Sequence, residues 1–118
     1  MAPHRPLALV FMWEHFSAYH VDRLEAVARA FRGRYTVVGI EIAAQSRTYA
    51  WKPVKSDDAF ERYTLFPDGV AEEVSPWRKL RGFLQVLRRY RPVGVFLCNQ
   101  DQPEILAACT LLRLRGIR

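Results

Sequence analysis

The stretch LALVFMWEHFSAYH, residues 7–20, joins an apolar run to an aromatic segment that contains no glycine. Its first six residues form a nearly continuous apolar run, which is typical of a strand buried on both faces of a parallel sheet. Two further runs of this kind are YTVVGIEI (residues 35–42) and VGVFLC (residues 93–98). A weaker one, ERYTLF (residues 61–66), ends at the turn residues PDG and is expected to be an edge strand.

Helical patterns fill the intervals between these runs. The first covers residues 18–31, with Ser17 as N-cap and Gly33 as the terminating residue. Another is expected to start at Asp101, because Asp101 and Glu104 have the spacing of a capping box. The order of these elements predicts a Rossmann-like α/β fold: an open, mostly parallel sheet with strand order 3-2-1-4 and helices on both faces.

The helix in residues 75–91 is basic as well as amphipathic. Ser75 and Pro76 supply its N-cap and first helical position. Its apolar stripe is predicted to face the core, opposite most of its cationic side chains. The stripe consists of Trp77, Leu80, Leu84 and Leu87, and the cations are Arg78, Lys79, Arg81, Arg88 and Arg89. Such a helix suits peripheral contact with an anionic membrane, or less well nucleic acid, and an ordinary solvated face is the simpler alternative.

Length and composition limit the classes of protein to consider. The chain has 118 residues, of which 50% are hydrophobic, so a single globular domain over residues 1–118 is expected. The formal net charge of +6 admits anionic partners but says little about the fold. Cys98 and Cys109 are too few and too far apart for a disulfide framework, and both are expected to be reduced. No apolar run has the length of a membrane span, so a cytoplasmic protein without a signal peptide is expected.

The loop that follows the first apolar run contains no glycine. A dinucleotide-binding loop needs glycines there so that its backbone can approach the phosphates. Aromatic and polar side chains stand in this loop instead, and they suit an organic ligand with hydroxyl groups. The candidate binding residues are Glu14, His15, Phe16, Tyr19 and His20. The alternative is that the rings fill the core and that His20 is a structural histidine.

Two other segments are expected near the crevice between the first and fourth strands. Asn99 and Gln100 follow the fourth strand, and their amides can hydrogen-bond to sugar-like hydroxyls. The lid candidates are Arg47, Tyr49 and Trp51, with a solvated loop as the alternative. No metal site is expected, because the three histidines lack the spacing of helical metal ligands. No Ser-His-Asp or Cys-His arrangement can be argued either.

The order of elements and three stretches of the chain resemble a known family. The stretches are residues 7–31, 37–53 and 92–118, and they resemble the N-terminal domain of GT-B-type retaining glycosyltransferases. Members of that family have two Rossmann-like domains, of which the N-terminal one binds the acceptor and the C-terminal one the nucleotide-sugar. The resemblance implies that this chain is the acceptor side of a hexosyl-type enzyme and itself binds no cofactor. It implies acceptor or cleft contacts by Glu14, His15, Phe16, Tyr19, His20, Asn99 and Gln100.

The chain departs from that family in two respects. Many members carry a glycine pair in the first loop, whereas this loop reads WEHFSAYH. The glutamate motif that binds the donor would belong to a C-terminal domain, which this sequence does not contain. We therefore expect a truncated half of a larger unit, whose 118 residues alone do not catalyse transfer.

A non-catalytic α/β binding or regulatory domain is the alternative from another class. Receiver-like modules carry paired acidic residues after the first strand, and flavodoxin-like modules carry a loop rich in Ser, Thr and Gly. Neither feature follows residues 7–12 of this chain. The sequence therefore favours the acceptor side of a glycosyltransferase over this alternative.

Overall fold

The computed structural model describes residues 5–45, 59–97 and 102–117. These residues form β1 (Leu7–Trp13), α1 (Ala18–Ala30), β2 (Thr36–Gln45), β3 (Glu61–Val70), a 3-10 turn (Ala71–Glu73), α2 (Pro76–Leu87), β4 (Arg91–Leu97) and α3 (Pro103–Leu114). All three strand pairs are parallel, and the strand order is β3-β2-β1-β4. The predicted Rossmann-like α/β sheet and its strand order are confirmed.

The sheet separates two hydrophobic cores. Side chains of β1 alternate between its faces, as the pleat requires. Val10 and Met12 join the core beneath α2 and α3, whereas Phe11 and Trp13 pack against the core beneath α1. Helices thus cover both faces of a parallel sheet whose central strands are apolar on both sides.

Gly39 on β2 allows α1 and the preceding loop to approach the sheet closely. A Cβ atom at this position would lie 2.8 Å from Leu24 Cδ1, 2.9 Å from Phe60 Cε2 and 3.1 Å from Phe16 Cζ. All three distances are shorter than ordinary van der Waals contacts, so a larger residue would displace these side chains. The fully buried ring of Phe16 therefore fixes the loop between β1 and α1 against β2.

The first helix begins and ends where the sequence predicts. Ser17 is the N-cap of α1, and its hydroxyl accepts a hydrogen bond from the backbone N–H of His20 at 3.4 Å. The Ser17 backbone N–H in turn donates to His20 Nδ1 at 3.0 Å, which completes a capping box. Gly33 follows the helix with φ near +83°, a left-handed conformation that favours glycine.

The buried face of α2 differs from the prediction. The buried residues of this helix are Lys79, Phe83, Val86 and Leu87. Trp77 is 67% exposed, so the prediction that it faces the core, with Lys79 on the opposite side, is wrong. The reason lies on α3, where the buried carboxylate of Glu104 has its Oε1 3.6 Å from Lys79 Nζ. This ion pair and the ring of Phe83 turn the helix, and Trp77 faces outward.

Two element boundaries also differ from the prediction. The N-cap of α3 is Gln102, so Glu104 does not occupy the capping-box position; Asp101 lies outside the described residues. The strand β3 does not end at PDG but continues to Val70, because its pairing with β2 resumes at Gln45 after an irregularity.

Three further features concern the sheet edges, the cysteines and the helices of the described residues. Strand β3 lies at one edge of the sheet, as predicted, and β4 lies at the other. Cys109 carries a free, half-buried thiol, and Cys98 lies outside the described residues. Among the helices that the structure describes, none combines the length and the apolar character needed to traverse a bilayer.

Candidate functional site

The candidate site lies where β1 and β4 meet at their carboxyl ends. Strand β1 leads into α1 on one face of the sheet, and β4 leads toward α3 on the other face. The two connections diverge at this point, and open parallel sheets bind ligands in the crevice that results. The described residues that border this crevice are residues 14–17, after β1, and Gln102, before α3.

A buried carboxylate on β2 holds the loop after β1 in place. Glu41 is 2% exposed, and its Oε2 accepts a hydrogen bond from the backbone N–H of Phe16 at 3.0 Å. Its Oε1 accepts hydrogen bonds from Arg62 Nη2 at 3.0 Å and from Thr64 Oγ1 at 2.6 Å. A buried charge requires this degree of pairing and hydrogen bonding. Glu41 thus ties the loop to both β2 and β3.

His15 belongs to the same network. Its Nδ1 lies 3.4 Å from the carbonyl oxygen of Ala43 and 3.8 Å from Glu41 Oε2. A carbonyl oxygen can only accept, so Nδ1 carries the proton in the contact with Ala43. The backbone N–H groups of Ile42 and Ala43 donate to the carbonyl of Glu14 at 3.1 and 3.2 Å. The loop is therefore a rigid base for the side chains that project from it.

An aromatic row crosses β4 and β1 on the face that α1 partly covers. The ring of Phe96 stacks on Phe11 at 4.6 Å between centroids, and Phe11 lies 6.2 Å from Trp13. Trp13 lies 4.7 Å from the imidazole of His20. Phe96 is 54% exposed, and Trp13 and His20 are half-buried. We call these four residues the aromatic row; its accessible rings form an apolar platform beside the crevice.

Polar side chains border the aromatic row. Gln102 Nε2 donates a hydrogen bond to Glu14 Oε1 at 2.6 Å, which joins the loop after β1 to the start of α3 across the crevice. Tyr19 is 57% exposed, and its ring lies 5.8 Å from that of His20. The guanidinium of Arg23 lies 4.2 Å above the ring of Tyr19. Carboxylate, amide and phenol groups therefore stand beside an apolar platform.

His20 is held in its neutral form. Its Nδ1 accepts the hydrogen bond from the Ser17 N–H, so the proton of the neutral ring resides on Nε2. Partial burial lowers the pKa of His20 below its ordinary value of 6.5, and the nearby His15 and Arg23 lower it further. The imidazole thus serves as a helix cap and as a ring of the aromatic row.

Acidification is expected to destabilise the start of α1. The pKa of His20 is lower in the folded chain than in the unfolded chain, so the unfolded chain takes up the proton first as the pH falls. The contribution of His20 to stability is present above pH 6.5 and is lost as the pH falls from 6.5 toward the folded-state pKa. Protonated Nδ1 cannot accept the Ser17 N–H. Urea unfolding at several pH values measures this effect.

The control is His20→Gln, because glutamine at this helix position completes a capping box without titrating. We expect the difference in unfolding free energy between the wild type and this variant to change as the pH falls below 6.5. A difference that stays constant over the whole range would contradict the assignment of His20 Nδ1 as an unprotonated cap.

The structure leaves some of the predicted acceptor-contacting residues accessible and buries others. Of the predicted residues, Glu14 has a half-buried side chain at the crevice, and the exposed Tyr19 and half-buried His20 lie beside it at the start of α1. His15 and Phe16 are buried, because Glu41 and the space above Gly39 draw them against β2, and neither offers a surface to a ligand in this conformation. Outside the described residues lie Asn99, Gln100, Arg47, Tyr49 and Trp51.

Two aromatic residues of the site, Phe11 and Phe96, were not indicated by the sequence. Phe11 and Phe96 stand within apolar runs, where an aromatic ring is normally read as core. They belong to the aromatic row because the strand register places Phe11 beside Phe96 and because Phe96, on the edge strand β4, remains exposed. The position of Gln102 could be predicted, because it belongs to the polar segment CNQDQPE, which follows the fourth apolar run and is expected beside the crevice.

The ligand of the site is indicated neither by a metal centre in the described residues nor by a related protein. In residues 5–45, 59–97 and 102–117, no three His, Cys, Asp or Glu side chains are placed to hold a metal ion. Comparisons of the chain with models of protein families, with curated proteins and with solved structures returned no match. The aromatic row and the polar groups beside it are therefore the features that indicate the chemistry of the site.

Proposed function

We propose that this domain is the acceptor-binding portion of a nucleotide-sugar-dependent glycosyltransferase. The observation that supports it best is the aromatic row beside the Glu14–Gln102 pair. Aromatic rings pack against the apolar faces of sugar rings, while carboxylate and amide groups hydrogen-bond to hydroxyls. The resemblance to GT-B N-terminal domains supplies the reaction class, which a fold alone does not fix.

The start of α1 favours a hydroxylated ligand over a phosphate. Phosphate sites at helix N-termini need free backbone N–H groups and a close approach of the ligand. Here the backbone N–H of His20 is capped by Ser17, and the N–H groups of Ser17 and Phe16 donate to His20 and Glu41. These three donors are already used within the chain and cannot serve a phosphate, which agrees with the nucleotide of the donor being held elsewhere, as the resemblance implies.

The contribution of this domain to transfer is the positioning of the acceptor. In the reaction, an acceptor oxygen bonds to the anomeric carbon as the bond from that carbon to the nucleotide phosphate breaks. An acceptor ring stacked on Trp13 or Phe96 would place its hydroxyls near Glu14 and Gln102. The Glu41 network keeps this loop in one conformation, so little ordering remains to be done when the acceptor binds.

The variant Trp13→Ala is expected to weaken the binding of saccharides. Loss of one ring contact corresponds to about 0.5–1.5 kcal/mol, or about 2- to 13-fold in Kd. The probes are neutral mono- and disaccharides, titrated into the full chain and followed by NMR, with uridine diphosphate as a nucleotide probe. Trp77→Ala is the matched control, because Trp77 lies on the outward face of α2, away from the aromatic row.

Saccharide binding that Trp13→Ala weakens and Trp77→Ala leaves unchanged would support the proposal. Equal losses in the two variants, no binding of any saccharide, or displacement of the saccharide by uridine diphosphate would each count against it. The unfolding free energy of both variants is measured alongside, so that lost binding is not mistaken for lost folding.

A further inference from the structure

The outward face of α2 carries an exposed indole and cationic side chains that the core does not use, beside Leu80 and Leu84, which are half-buried and also pack against the core. Trp77, Arg81, Leu84 and Arg88 follow one another at intervals of four, three and four residues, which places them on one side of a helix. With Leu80 and Gln85 they line a shallow depression of about 350 Å³. We call Trp77, Leu80, Arg81, Leu84 and Arg88 the α2 ridge.

The α2 ridge is strongly cationic. No Asp or Glu occurs between residues 75 and 91. Arg81 and Arg88 are exposed, and within the part of the chain that the structure describes neither forms a salt bridge. Arg78 and Arg89 stand beside the ridge and lie over the rings of Phe66 and Tyr63 on β3, at 4.9 and 5.4 Å. Four guanidinium groups thus lie along the helix that carries the exposed indole of Trp77.

The indole, leucines and arginines of the α2 ridge together favour one kind of binding partner, a lipid surface. A large, exposed indole flanked by leucines suits the boundary between headgroups and acyl chains, where tryptophan is enriched. Arginines on the same face can extend to lipid phosphates while their aliphatic stems remain on apolar surface. The phosphates of a nucleic acid would pair with the guanidinium groups and an unpaired base would stack on Trp77, but Leu80 and Leu84 would gain no apolar contact.

We propose that the α2 ridge docks on an anionic lipid bilayer, with the axis of α2 parallel to the membrane surface. Trp77 inserts at headgroup depth, and Arg81 and Arg88 contact lipid phosphates. The buried Lys79–Glu104 pair holds the opposite side of α2 against α3, and Phe83 packs into the core above the sheet. The ridge therefore faces outward without unfolding of the helix. This docking is independent of saccharide binding at the aromatic row.

The test is sedimentation of the full chain with phosphatidylcholine vesicles that do or do not contain phosphatidylglycerol. We expect the chain to bind only the anionic vesicles and to dissociate as salt is added. The double variant Arg81→Gln/Arg88→Gln should bind anionic vesicles about 30-fold more weakly, because each basic residue near an anionic surface contributes about fivefold to the binding constant. Arg32→Gln/Arg34→Gln is the control: it removes the same charge from two exposed residues after α1 and should weaken binding much less.

The indole is tested separately from the charge. Trp77→Ala should reduce binding to anionic vesicles, whereas Leu106→Ala, which removes an exposed apolar side chain from α3, should not. Equal binding to neutral vesicles, no binding to either kind, or equal losses in the paired arginine variants would overturn the proposal. So would tighter binding to a single-stranded RNA oligonucleotide than to anionic vesicles.

Discussion

Replacing Glu41 with alanine is expected to lower the free energy of unfolding by about 3–5 kcal/mol, because one partner of a buried ion pair is removed. The substitution leaves the Arg62 guanidinium without its carboxylate. It also removes the acceptor of the Phe16 N–H and the Thr64 hydroxyl. A buried donor without an acceptor carries its full desolvation cost. Urea denaturation of the full chain measures the loss.

The matched control for this substitution is Glu25→Ala. Glu25 also pairs with an arginine, Arg29, at 3.8 Å, but this pair joins two residues one turn apart on α1, and Arg29 is exposed. Exposed pairs of this kind contribute about 0.5 kcal/mol or less. Equal effects of the two substitutions would show that Glu41 is solvated and that the loop after β1 is not held by it.

Replacing Lys79 with methionine is expected to destabilise the fold by about 3–5 kcal/mol, since it leaves the Glu104 carboxylate buried without its partner. The double variant Lys79→Met/Glu104→Met should recover most of this loss, because two apolar side chains of similar length can fill the same space. Denaturant unfolding of both single variants and the double variant gives the coupling between the two positions.

This cycle also decides which face of α2 meets the sheet. If Lys79→Met changed the unfolding free energy by only a few tenths of a kcal/mol, as an exposed position would, then Lys79 would face solvent. The stripe that contains Trp77 would then face the core, as the helical pattern alone predicts. The α2 ridge would not exist in that case, and the proposed membrane contact would fail with it.

The overall architecture followed from the sequence because it depends on patterns that are local. Apolar runs alternated with helical segments, and Ser17, Gly33 and Ser75 with Pro76 marked helix ends through their own backbone and side-chain chemistry. Parallel strands joined by crossovers leave few topologies, so the strand order could be predicted as well.

The rotation of α2 could not be predicted from its own residues. Lysine is normally exposed and tryptophan normally protected, and the helical pattern followed this rule. The observed rotation depends on Glu104, which lies on another helix and enters the interface only after α3 has packed beside α2. Such long-range pairing of two charged residues has no signature in the spacing of either segment.

The division of the loop after β1 into a buried and an accessible part could not be predicted for a similar reason. His15 and Phe16 turn inward because Glu41 and Gly39, on a strand more than twenty residues later, supply a hydrogen bond and an open space. The sequence indicated an aromatic loop without glycine. It did not indicate that Phe96, rather than Phe16, would provide the accessible ring.

The proposed acceptor site is tested most directly by mapping backbone amide chemical shifts while a disaccharide is titrated into the isotope-labelled chain. We predict that the shifts concentrate at Trp13, Glu14, Phe96 and Gln102, and that uridine diphosphate does not produce them. Shifts confined to the groove between β4 and α3, lined by Val95, Leu112 and Ile117, would contradict the proposed site. So would a nucleotide that perturbs the same amides as the saccharide.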